Sequence, residues 1–99
     1  MQMRIESIHF DADRKLLDFI ERKMAKLDQI YERIIEAHII LKLENSGRIK
    51  NKIAEVKLAV PGDVLMAKAT NRTFEAAMDE VLNVLKRQLI RHKERARSY

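Results

Sequence analysis

Two runs of apolar-polar alternation, Ile34 to Glu44 and Ile53 to Val60, constrain this chain more than any other feature, because each presents one apolar face that has to be covered. In the first, Ile35, Ala37, Ile39, Leu41 and Leu43 share a face, and Glu36, His38 and Lys42 lie opposite. In the second, Ala54, Val56, Leu58 and Val60 repeat the pattern. Asn45-Ser46-Gly47 supplies turn chemistry between them, and the polar stretch through Asn51 reads as a loose connection. Pro61-Gly62 fits the centre of a type II turn, where Pro presets the first dihedral and Gly accepts positive φ, so Val64 to Thr70 returns as an antiparallel strand.

The cover comes from two stretches with the helical period. From Asp13 to Tyr31, Leu16, Leu17, Ile20, Met24, Leu27 and Tyr31 recur at steps of three and four and predict one amphipathic helix, capped by Asp11 or Asp13. A second helix starts after Asn71 or Thr73, its apolar face traced by Phe74, Ala77, Met78, Val81, Leu82, Leu85 and Leu89 to about His92. A weaker alternation over Met3 to Phe10 reads as a first strand. The order is β-α-β-β-β-α, an α+β two-layer sandwich in which two helices cover one face of a four-stranded sheet. A right-handed crossover makes the first two strands parallel, and the last three form an antiparallel meander. Met24, Met66 and Met78 are read as core gap fillers.

Charge gives the first indication of function. Of 99 residues, 20 are Lys or Arg and 15 are Asp or Glu, for a net charge of +5. Residues 1 to 85 balance, and the whole excess lies in Lys86, Arg87, Arg91, Lys93, Arg95 and Arg97 against Glu94. A concentrated basic end is the footprint of a polyanion binder, and RNA is the abundant polyanion of a cytoplasm. Bases in the last turns of a helix also offset its macrodipole, which is the bland alternative. On the first helix, Lys15, Arg22 and Lys26 align at i, i+7 and i+11 with Lys23 beside them, while Asp18, Glu21, Asp28 and Glu32 take a separate flank. On the second, Lys86, Lys93 and Arg97 form one flank and Arg87 and Arg91 the other. Two helices on one sheet face bring these stripes into one surface.

No catalytic constellation accompanies the charge. His9, His38 and His92 fall on separate elements, no Cys is present, and the two glycines exclude a phosphate-cradling loop, so neither a catalytic residue, a metal site nor a cofactor is expected. Ser7, Ser46 and Ser98 lack a nucleophile elbow. Phe10, Phe19, Tyr31, Phe74 and Tyr99 are too few and too apolar in setting for a base-stacking platform, so RNA would be gripped by its backbone. No apolar run is long enough to span a bilayer, and the first residues, Met1-Gln2-Met3-Arg4-Ile5-Glu6, lack a leader's apolar core. The expectation is a single cytoplasmic domain over residues 1–99 with no membrane and no small-molecule substrate.

Three runs carry a resemblance: Glu21-Arg22-Lys23-Met24-Ala25-Lys26-Leu27, then Ala54-Glu55-Val56-Lys57-Leu58-Ala59-Val60-Pro61-Gly62, then Phe74-Glu75-Ala76-Ala77-Met78-Asp79 with Leu85-Lys86-Arg87-Gln88-Leu89-Ile90-Arg91-His92-Lys93. Together they resemble the ribosome hibernation-promoting factor family, also called ribosome-associated translation inhibitors, over nearly the whole chain. The resemblance implies a double-stranded-RNA-binding-domain-like fold. It also implies binding to the small ribosomal subunit and whole ribosomes, through 16S rRNA in the messenger and tRNA channel, that holds them inactive in stress or stationary phase by occlusion. By motif position it assigns rRNA contacts to Lys23, Lys26, Arg87, Arg91 and Lys93. Helical geometry adds Lys15, Arg22 and Lys86. Phe74 stands where the family usually has Tyr, which keeps a packing role and removes a hydroxyl. A chain ending at Tyr99 matches the short form, without the C-terminal dimerisation domain of long members, and is expected to be monomeric when free. Two readings of other classes stand beside this one: a homodimeric protein-interaction module with a basic tail, and a small RNA-cleaving enzyme.

Overall fold

The computed structural model describes residues 1–46 and 49–96. The elements are β1 (Gln2–Ile8), α1 (Arg14–Ala25), α2 (Leu27–Ile30), β2 (Glu36–Ser46), β3 (Ile49–Val60), β4 (Asp63–Asn71) and α3 (Phe74–Ala96). The sheet order is β1-β2-β3-β4, with β1 parallel to β2 and the other two pairs antiparallel, and the helices pack together against it. This is the two-layer arrangement that the periods predict, and Arg97 and Tyr99 lie outside the described residues.

The core is one cluster in which the sheet's inward residues meet the helical stripes. Ile39, Leu41, Ala54, Val56 and Leu58 are fully buried, as are Ile20, Met24, Leu27, Ala77, Met78, Leu85 and Leu89 from the helices. All seven apolar residues expected on α3 are buried. Asp13 caps α1 by accepting the Leu16 N–H at 2.8 Å, and Thr73 caps α3 by accepting the Ala76 N–H at 3.0 Å. Gly62 has φ 82°, the positive value required at the third residue of a type II turn, and Val60 pairs with Asp63 across it.

Four expectations need correction. The single helix over Asp13 to Tyr31 is two pieces, because the Lys26 N–H bonds back three residues to Lys23 (3.3 Å) and its carbonyl accepts from Gln29 (3.2 Å). The buried stripe still passes through this tight turn to Leu27 and Tyr31. The polar stretch leading to Asn51 is not a loose connection, since β3 starts at Ile49 and pairs with β2 along its full length, placing Glu44 opposite Asn51. Gly47, from the expected turn, lies outside the described residues. Ile35 is 57% exposed and precedes β2, with Ile34 taking the buried position. Met66 is 51% exposed, because Leu65 and Ala67 are the inward residues of β4 and a period of two sends Met66 outward.

Thermal or urea unfolding checks this packing. Leu85→Ala, at a fully buried position between the layers, should cost about 2–5 kcal/mol. Removal of the cap in Thr73→Ala should cost about 1 kcal/mol.

Candidate nucleic-acid interface

Because α1 and α3 lie side by side on one sheet face, their outward flanks become neighbours. The two run in the same direction: Lys15, Phe19 and Arg22 share a concavity with Phe74 and Glu75, Lys23 and Lys26 share the next with Asp79, Leu82, Asn83 and Lys86, and Tyr31 packs edge-on against His92. Three of the expected contacts, Lys23, Lys26 and Lys86, therefore line one hollow of about 280 Å³ between the helices. Arg22 joins Lys23 and Lys26 around Phe19 in an adjoining depression, and the Lys23 ammonium sits 5.5 Å from the Phe19 ring centre.

The remaining cations divide. Arg87 and Arg91 are exposed on the opposite shoulder of α3, about 100° or more around the helix from Lys86, and line none of these hollows. Lys93 is half-buried, its ammonium donating at 3.1 Å to the carbonyl of Ile30 at the end of α2. That bond satisfies a helix C-terminal carbonyl with a cation and ties α3 to α2. Phe74 is buried and stacked on Phe10, with centroids 4.6 Å apart at 13°, a packing role that needs no hydroxyl.

The basic and acidic flanks of α1 are less separate than the sequence suggests. Asp18 and Glu21 line a hollow with Lys15 and Arg22, and Arg14, which the charge stripes leave out, bonds Asp18 at 2.8 Å and approaches Glu21 at 3.7 Å. The other omission is Asp79, on the second turn of α3, which reaches across to Lys23 at 3.5 Å. Only the relative phase of the two helices reveals that pairing.

The sheet's outer face has a different character. Register places Arg4, His38, Lys57 and Met66 in one row and Glu6, Ile40, Glu55 and Lys68 in the next, so cations and carboxylates alternate. Arg4 bonds His38 Nδ1 at 3.2 Å, and Glu6 lies 3.5 Å from His38 Nε2. Every buried side chain among the described residues belongs to the apolar core, and no three His, Asp or Glu side chains there converge to hold a metal ion. No helix among them is long and apolar enough to cross a membrane.

The fold and its charge distribution define a small α+β binding domain whose cations gather on the helical side. A family model described as sigma 54 modulation protein / S30EA ribosomal protein matches residues 3–97. The ribosome hibernation promoting factor of Salmonella typhimurium is 32% identical over 99 residues, 100% of both chains. The Azotobacter vinelandii protein of the same name is 35% identical over 95 residues, covering 96% of this chain and 85% of that one. The fold is shared with a ribosomal subunit interface protein from Coxiella burnetii (TM-score 0.85, 21% identity, 95% of this chain and 99% of the other). It is shared also with the N-terminal domain of Thermus thermophilus Protein Y (TM-score 0.79, 23% identity, 93% and 99%). The chain belongs to the ribosome hibernation promoting factor family, named for an effect on ribosomes and not for a reaction.

The Lys93 clamp generates a prediction about stability. Lys93→Met keeps the stem and removes the bond to Ile30, so it should lower unfolding free energy by about 1 kcal/mol; an unchanged midpoint in urea would show that the bond carries no weight.

Proposed function

We propose that this protein binds the small ribosomal subunit in the cytoplasm through 16S rRNA in the messenger and tRNA channel, and keeps ribosomes inactive by occupying that space. The observation that carries the reading is the meeting of Lys26 and Lys86 between α1 and α3, with Lys23 and its partner Asp79 beside them, in contrast to a sheet face where the charges alternate. Lys15 and Arg22 extend the cationic line along α1, and Arg87 and Arg91 offer a second row on the outer shoulder of α3. Lysine and arginine at these positions act on phosphates, which fix position without reading sequence. Specificity then comes from the shape of a folded RNA surface that meets both rows at once. No bond is made or broken in such a mechanism, since a rigid wedge in the channel excludes messenger and tRNA by volume. Lys93 serves this surface by holding the end of α3 against α2.

Sedimentation with purified small subunits across a salt series tests the assignment. Lys26→Ala with Lys86→Ala, and separately Arg87→Ala with Arg91→Ala, should each weaken binding and flatten the plot of log K against log salt by roughly 0.7–0.9 for each phosphate that is no longer neutralised. Neither pair lies in the core, so melting temperatures should stay within a few degrees of wild type. Unaltered affinity and slope in both double variants would overturn the reading.

A further inference from the structure

The cleft between α1 and α3 is not uniformly basic. Along the flank of α3 that faces α1, Glu75 and Asp79 precede Leu82, Asn83 and Lys86. Across from them α1 presents Lys15 and Arg22, then Lys23, and the turn that follows it presents Lys26. One end of the cleft thus opposes carboxylates to cations, and further along Lys26 and Lys86 line one hollow in which Asp79 is the single carboxylate. Asp79 stands at the boundary. Its carboxylate lies 3.5 Å from the Lys23 ammonium, with the Lys23 side chain 33% exposed and that of Asp79 55% exposed.

We propose that Asp79 is a specificity-determining residue of the RNA-binding cleft, an internal counter-anion that occupies Lys23 and confines phosphates to the Lys26–Lys86 end. The inference rests on the RNA-binding reading above. A phosphate placed beside Lys23 has to displace or sit against the Asp79 carboxylate, and like charges brought together that way oppose the pose. A plain RNA duplex slides over many registers, and those that put a phosphate next to Asp79 are penalised. A folded rRNA surface whose phosphates already match the permitted end avoids the penalty. Asp79 therefore lowers affinity for the wrong RNA more than for the right one, which is specificity by repulsion. As an exposed ion pair, Lys23–Asp79 holds Lys23 by a factor of only about two to five, so it biases the cleft without closing it.

Three variants with two ligands decide the matter. Asp79→Asn should tighten binding to a plain RNA duplex by about two- to fivefold at low salt and steepen its salt slope by about one, since one more cation is free to meet a phosphate. Its affinity for small subunits should change by less than about twofold, so that the preference for subunits falls. The gain for duplex should vanish in Lys23→Met with Asp79→Asn, because the freed partner is then gone. Asp79→Glu keeps the charge and should bind like wild type. If both Asp79 variants bind duplex more weakly, Asp79 acts by holding the helices together and the proposal is wrong; equal gains for duplex and subunits also overturn it. Should wild type bind neither ligand, the RNA-binding reading itself fails, whereas wild-type binding without a gain in Asp79→Asn removes the specificity role alone.

Discussion

The structure depends on the burial of one sheet face. Ile39, Leu41, Ala54, Val56 and Leu58 leave water only because α1 and α3 lie over them, and a two-layer domain of this size has no other cover. Covering one face with two helices forces the helices into contact along their length. The residues that face neither the sheet nor solvent alone then form an inter-helical cleft, and what stands there is decided by helical phase. Lys23, Lys26, Asp79 and Lys86 meet for that reason, although they come from segments separated by the whole meander of β2, β3 and β4.

The same constraint divides the molecule electrostatically. The uncovered sheet face is constructed from alternate strand positions, where Arg4, Lys42, Lys57 and Lys68 are matched by Glu6, Glu36, Glu44 and Glu55. Such a face has little long-range field. The helical layer gathers its excess toward the end of α3, where Lys86, Arg87, Arg91, Lys93 and Arg95 stand against Glu94. A polyanion approaching such a body is oriented before it touches, helical layer first. Apolar burial thus sets where the cations go, and the cations set which side of the domain is proposed to meet RNA.

Much of the fold was legible because periodicity reports burial directly. The stripe from Phe74 to Leu89 and the alternation from Ala54 to Val60 are buried as read, and the Pro61-Gly62 turn has the dihedral that its residues favour. What escaped was set by longer-range geometry. The break at Lys26 follows from tight backbone bonding that leaves the apolar spacing intact, and Met66 faces outward because one-residue parity, not hydrophobicity, orients a strand. The pairing of β2 and β3 through polar residues near Glu44 and Asn51 comes from strand partnership and not from side-chain pattern. In the candidate interface the cations and their two flanks on α3 were visible, since charge clusters can be counted and helical phase separates them, but the pairing of Lys23 with Asp79 and the clamp at Lys93 were not. Lys93 shares a flank with Lys86 in the sequence, and only the carbonyl of Ile30 tells their roles apart.

The absence of cysteine from the chain makes a direct test of orientation available. Single cysteines introduced as Asn83→Cys in the inter-helical cleft or Met66→Cys on the sheet's outer face, each carrying a tethered iron chelate, would cleave nearby RNA in complexes with the small subunit. Cleavage of 16S rRNA lining the messenger channel is expected from position 83 and far less from position 66. Cleavage predominantly from position 66, or none in the channel from position 83, would contradict the proposed orientation.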